Sequence, residues 1–182
     1  YADRYGSMAP TLNWMQDHLP PDSVVAAPHL LSPNLRVYAN LNAYNCAHGQ
    51  AQLISQKEYS HRLDSQDYLQ GMTQEDYTKA LDKYLAHRTS LHFGSHFHRQ
   101  AGGYENVAPQ FRQQLIEGYA RVLETQLDGP WRPRFRCDYV VIEKADEDPV
   151  TLKPFSTFKP ERVPGKLIWE DTHYSVWKLN PR

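Results

Sequence analysis

The sequence predicts an α/β fold: a mostly parallel sheet, finished by a C-terminal antiparallel β-hairpin, with helices inserted in the middle of the chain. Three observations carry that expectation. Val24-Val25-Ala26-Ala27 is a short unbroken apolar run of the kind found in strands buried on both faces. Tyr139-Val140-Val141-Ile142 is a second and stronger run, which belongs in mid-sheet. The segment from Gly165 to Leu179 reads as two β-rich stretches around a polar turn at Glu170-Asp171-Thr172-His173.

The elements follow in order. Met8 to His18 carries Leu12 and Met15 at helical spacing, with Leu19 just beyond, and Pro20-Pro21 stops the helix. After the first strand a short helical link at Leu30 to Leu35 leads to Arg36-Val37-Tyr38-Ala39-Asn40, read as a second strand. Strand, helix, strand implies a parallel pair with a right-handed crossover. Ser55 with Glu58 looks like a capping box for a helix from Gln56 to Leu69. Thr73 with Asp76 starts another in the same manner, running to about His87. Leu91 to Asn106 then reads as a loop or irregular insertion. Pro109 opens a helix whose stripe of Phe111, Leu115, Ile116, Tyr119, Val122 and Leu123 extends to about Leu127. A strand from Phe135 to Glu143, a proline-rich surface excursion from Lys144 to Pro164 and the hairpin complete a three-layer, Rossmann-like arrangement. The helical and loop insertion occupies about 55–127, and residues 1–182 make one domain.

Composition excludes several classes of function. There are 20 basic and 21 acidic residues, without a long run of either sign, so no global field gathers nucleic acid. No apolar stretch approaches the ~20 residues of a membrane span, and no signal peptide is visible. The chain reads as a soluble domain, and a start at Tyr1 as an excised or processed piece. The fold would hold Cys46 and Cys137 roughly 15–20 Å apart, beyond the ~7 Å limit for a disulfide, so two free and mostly buried thiols are expected.

Several of these stretches, taken together, carry a resemblance. A helix with Trp14, then Leu19-Pro20-Pro21-Asp22-Ser23-Val24-Val25-Ala26, Arg36-Val37-Tyr38, Cys137-Asp138-Tyr139-Val140-Val141-Ile142, and Ile168-Trp169-Glu170-Asp171-Thr172-His173-Tyr174-Ser175-Val176-Trp177-Lys178-Leu179 resembles the soluble C-terminal region of bacterial polytopic membrane glycosyltransferases of the GT-C type and their uncharacterised relatives. The likeness covers the two ends well and the middle third poorly. It implies a domain on the extracytoplasmic face of a bacterial membrane, periplasmic or at the cell surface, following transmembrane helices absent from this chain. The partners it implies are that transmembrane part and a glycan or lipid-linked sugar. The catalytic acid and donor site of such enzymes belong to the membrane part, so no catalytic residue carries over. The domain itself is then an accessory one, assisting acceptor or glycan binding or assembly.

Three candidate sites remain. His92, His96 and His98 share a face if the segment is extended, and such imidazoles suit a divalent ion such as zinc, with a carboxylate such as Glu105 completing the shell or Cys46 or His48 as a fourth donor. The alternative function, an independent metal-assisted hydrolase, rests on this cluster; the plainer reading is a solvated polar loop. No other cofactor is expected. Ligands of open parallel sheets settle beyond the C-terminal strand ends, which here means His29, Asn40, Asn42, Tyr44, Asn45 and His48. Asn amides and a Tyr ring suit sugar hydroxyls and sugar faces, although a polar capping loop has the same composition. No glycine-rich phosphate loop follows the first strand, which disfavours a dinucleotide. Finally, strand alternation would set Arg132, Arg134 and Arg136 on one side as a basic stripe for a phosphate or lipid headgroup, or as a solvated edge. No hydrolase elbow surrounds any serine.

Overall fold

The computed structural model of the chain describes residues 2–28, 31–44, 55–93, 109–126, 133–144 and 159–181. It is an α/β structure built on a five-stranded mixed sheet with several helices. Helix α1 spans Ala2–His18 and buries Met8, Leu12 and Met15, with Leu19 closing its last turn. Strand β1 is Val24–Ala26.

The first difference from the sequence reading follows directly. Residues 35–39 are not a strand but a short helix, α2 (Leu35–Ala39), and the strand paired with β1 is β2, Asn42–Ala43. Pro33 starts the turn as part of a 3₁₀ segment, Ser32–Asn34. Only Leu35 and Ala39, four apart, are buried, while Val37 and Tyr38 are 73% and 53% exposed. A β-branched and aromatic pair suggests a strand, but here it sits on the solvent side of a single turn. Asn40 ends that turn in the left-handed region at φ 52° and ψ 37°, a conformation Asn tolerates.

Helix α3 (Gln56–Leu69) begins where the capping box requires: the Glu58 N–H donates to Ser55 Oγ at 3.1 Å. Helix α4 (Gln74–Phe93) starts at the reciprocal pair of Thr73 and Asp76. It does not stop near His87. Tyr84 takes the non-helical values φ −133° and ψ 30°, the axis kinks, and the helix resumes to Phe93. The kink resets the register, which is why the apolar stripe is lost in the sequence while the helix continues. Residues 91–93 are therefore helical rather than loop. Helix α5 (Pro109–Thr125) matches its expected stripe.

Strand β3 is Tyr139–Glu143, shorter than expected, and Gly165–Glu170 and Tyr174–Leu179 form β4 and β5. The sheet order is β2-β1-β3-β5-β4. β1 is parallel to both β2 and β3, whereas β3–β5 and β5–β4 are antiparallel. The sheet is thus evenly mixed rather than mostly parallel, because the hairpin lies alongside the central strand with β4 at the edge. At the hairpin tip Asp171 Oδ1 accepts from the His173 and Tyr174 N–H groups at 2.7 and 2.6 Å, an Asx-type turn.

Alternate residues of the strands feed two apolar clusters. Val25, Ala27, Tyr139, Val141 and Val176 pack with α1 and α2. Ala26, Val140, Ile142 and Leu179 pack with α3, α4 and α5. Period-two alternation sends successive side chains to opposite faces, so the two apolar clusters draw on opposite faces of the strands.

Candidate functional site

The helical face of α3, α4 and α5 holds a cleft of about 930 Å³. Gln56, Lys57, Ser60, His61 and Asp64 reach it from successive turns of α3, and Gln114, Leu115, Gly118, Arg121 and Thr125 from α5. Residues three and four apart share a helix face, so each set is a single stripe. The end of α4 contributes His92 and Phe93, and Arg134 closes one side.

At the base stand Asp64 and His92, 3% and 0% exposed, with His92 Nε2 3.7 Å from Asp64 Oδ1. Tyr77 donates its hydroxyl to the same Asp64 oxygen at 3.1 Å. Neither His92 ring nitrogen has a hydrogen-bond partner among the described residues. Burial raises the Asp64 carboxyl to about 8, reinforced by nearby Asp67 and opposed by Arg88, the Tyr77 hydrogen bond and Arg121. Burial lowers His92 to about 3, and the Arg88 guanidinium adds to the shift. Near pH 7 the pair is a neutral acid beside a neutral imidazole. Both are then hydrogen-bonding groups: the carboxyl can donate and accept, and the imidazole donates from one nitrogen and accepts at the other.

The surrounding polar network is well held. Arg88 Nη1 donates to Asp67 Oδ2 at 2.5 Å and its guanidinium lies over the Tyr77 ring at 5.1 Å. Tyr77 and Tyr119 stack at 4.2 Å, and the Tyr119 hydroxyl donates to the Met72 carbonyl at 2.7 Å. Gly118 lets α5 approach: a Cβ there would lie 3.2 Å from Asp64 Oδ2. Arg162, in the 3₁₀ turn Pro160–Arg162, donates to the Tyr68 and Met72 carbonyls at 2.9 and 3.1 Å, fastening that turn to the α3–α4 corner.

The expected site residues are dispersed. His92 is buried inside a helix, so the extended face that would gather it with His96 and His98 is absent at its first member; His96, His98 and Glu105 lie outside the described residues. Among the described residues no group of three or more His, Cys, Asp or Glu side chains is placed to hold a metal ion. Asn40 and Asn42 come at the start of β2, not past its end: Asn42 pairs with Val24 and its side chain donates to the Asp22 carbonyl at 2.9 Å. This follows from residues 35–39 being helical. Tyr44 does follow β2, but it is fully buried beneath Arg62, whose guanidinium sits 4.8 Å from the ring. His29, Asn45 and His48 lie outside the described residues, as does Cys46. Cys137 is a free thiol pushed by burial up to about 12, which keeps it protonated. Arg134 and Arg136 precede β3, so strand alternation does not align them; Arg136 pairs with Asp138 at 2.9 Å, and Arg134 turns to the cleft. Arg132 lies outside the described residues.

Sequence reasoning missed Asp64 and the polar members around it. The available signal was compositional: α3 has Tyr59, Leu63, Tyr68 and Leu69 to bury and takes Asp64, Ser65 and Gln66 in with them. A helix that long with so narrow an apolar face must bury polar groups if it packs on two neighbours. No described helix is long and apolar enough to cross a membrane. In comparison with known proteins, the chain matches no family model, no curated protein and no solved structure.

Proposed function

We propose that this domain binds a hydroxyl-rich ligand, a glycan or a glycan-bearing acceptor, in the α3–α4–α5 cleft, without turning it over. The observation that carries the reading is His92: a fully buried imidazole at the base of an open cleft, with both nitrogens lacking hydrogen-bond partners among the described residues. A buried polar group left without a hydrogen bond costs about 1–3 kcal/mol. A ligand hydroxyl offers the partner that the described residues do not supply. Gln56, Ser60, Gln114 and Thr125 add directional donors and acceptors around the rim, with Phe93 and Leu115 supplying apolar surface.

The wider setting belongs to the same proposal. The likeness of both chain ends to glycosyltransferases of the GT-C type supports an accessory domain on the extracytoplasmic face of a bacterial membrane, attached to a transmembrane part. The placement of helices on both sheet faces supports the three-layer, Rossmann-like description of the fold. The metal-assisted hydrolase has less support, since His92 is enclosed in a helix.

The test is an amide-resolved NMR titration with a panel of neutral disaccharides. The expected shifts fall on residues 56–64, 92 and 114–121, and vanish in His92→Phe. Shifts confined to other surfaces, or none, would overturn the binding reading. For the membrane setting, several spans of ~20 apolar residues upstream of Tyr1 in the parent reading frame are expected, and their absence there would remove that part.

A further inference from the structure

We infer that the cleft selects a ligand carrying a negative charge, a phosphorylated or carboxylated sugar, whose anionic group is held by Lys57, Arg121 and Arg134. This rests on the glycan-binding reading above and names the chemical class of its ligand.

The first support is the charge of the lining. The ionisable side chains among the described lining residues are Lys57, His61, Asp64, His92, Arg121 and Arg134. The only carboxyl among them is Asp64, which burial keeps protonated near pH 7. Lys57, Arg121 and Arg134 are exposed, and among the described residues none of the three is in an ion pair. The cleft is therefore locally cationic in a chain whose formal net charge is −1. Low-dielectric walls focus such a field on whatever enters.

The second support is where Lys57 stands. It is in the first turn of the 14-residue α3, whose amide N–H groups carry partial positive charge. A cation there is disfavoured by the helix dipole, whereas an anion is favoured by both. Gln56 and Lys57 line the cleft, so that helix end faces it. Several basic groups elsewhere on the helices are matched, Arg62 with Glu58, Lys79 with Glu75 and Arg112 with Asp82, whereas Lys83 lies over the Tyr84 ring. The third support is His61, half-buried in the same lining. Its basicity is lowered by burial and then by the charges of Arg134 and Arg62, as a positive local potential requires.

His92 and the protonated Asp64 complete the site. They sit deeper than the arginines and can take sugar hydroxyls while the rim takes the anion. Arg121 also lies close to Gly118, its Nη2 3.9 Å from where a Cβ would be, so the rim and base meet over this residue.

The experiment compares glucose, glucose 1-phosphate and glucuronate by NMR titration at low and at physiological ionic strength. At least one of the two anionic sugars is expected to bind about tenfold more tightly than glucose, with shifts at residues 56–61 and 118–121. The preference should fall severalfold in Arg121→Gln and in Arg134→Gln, both exposed positions, and weaken with added salt. Selection of glucose 1-phosphate alone assigns the site to phosphate, of glucuronate alone to carboxylate, and of both to charge; each supports the inference. Glucose bound as tightly as both anions, or a preference untouched in both variants, overturns it while leaving the glycan-binding reading in place. No binding of any of the three overturns both.

Discussion

The two faces of the sheet are built to different rules. Against α1 and α2 the contacts are apolar, with Met15, Leu31, Leu35 and Leu41 fully enclosed, and the buried polar groups there are hydroxyls such as Thr11 and Ser32. Ser32 is satisfied locally, donating to the Ala27 carbonyl at 2.9 Å. Thr11 likewise donates to Asp171 Oδ2 at 3.2 Å, so these hydroxyls are neutral and hydrogen-bonded. Against α3, α4 and α5 the protein encloses Asp64, Gln66, Arg88 and His92. This second face holds ionisable and amide groups, several of whose atoms lack partners among the described residues, a cost that a ligand can offset.

Breaking the charged face should cost most. Arg88→Met removes the buried partner of the half-buried Asp67 and is expected to destabilise by roughly 3–5 kcal/mol in urea unfolding. The double change Arg88→Met with Asp67→Leu should recover most of that, since an apolar pair of similar volume leaves no orphaned charge. If the double variant is as unstable as the single one, the ion pair is structural in a way this comparison of faces does not allow. On the apolar face Leu35→Ala should cost about 2–5 kcal/mol and leave the cleft's ligand affinity unchanged.

A smaller effect separates the faces by pH. The Asp64 carboxyl is raised to about 8 in the folded state, above an unfolded value of about 3.9, so the folded state binds the extra proton between them. Its contribution is full below that lower value and is lost as pH rises toward 8. His92 is lowered to about 3 against an unfolded value of about 6.5, so its contribution is full above 6.5 and is lost as pH falls toward 3. Their slopes oppose one another between about pH 4 and 6.5, leaving Asp64 alone to act from 6.5 to 8. Stability of the parent should decline across that upper range, and the decline should disappear in Asp64→Asn. The smallest effect expected is that of His92→Phe: stability unchanged or raised by about 1 kcal/mol, because a buried group without a hydrogen-bond partner among the described residues is removed. Ligand binding should be lost in the same variant.

These two faces were unequally legible in the sequence. Continuous apolar runs at Val24 and Tyr139, the capping box at Ser55 and the amphipathic stripe of α5 each state one local preference that the packing does not contest. Val37 and Tyr38 misled because β-propensity reflects packing on a pleated surface, and these side chains pack on none. That single exchange of strand for helix moved Asn40 and Asn42 to the opposite end of β2. The kink at Tyr84 hid the approach of His92 to Asp64, 28 positions earlier in the chain, because the phase of a helix cannot be carried across a break in its dihedrals.

The most direct test of the central claim, that the cleft base is a buried neutral acid beside a neutral imidazole with no hydrogen-bond partner among the described residues, is a pH titration of the His92 side-chain nitrogens by ¹⁵N NMR. The account predicts neutral-imidazole shifts retained from pH 8 down to about pH 4, with the Asp64 carboxyl carbon titrating on the alkaline side of neutrality. Protonation of His92 near pH 6 to 7, with Asp64 already ionised, would make the pair an ordinary ion pair and contradict it.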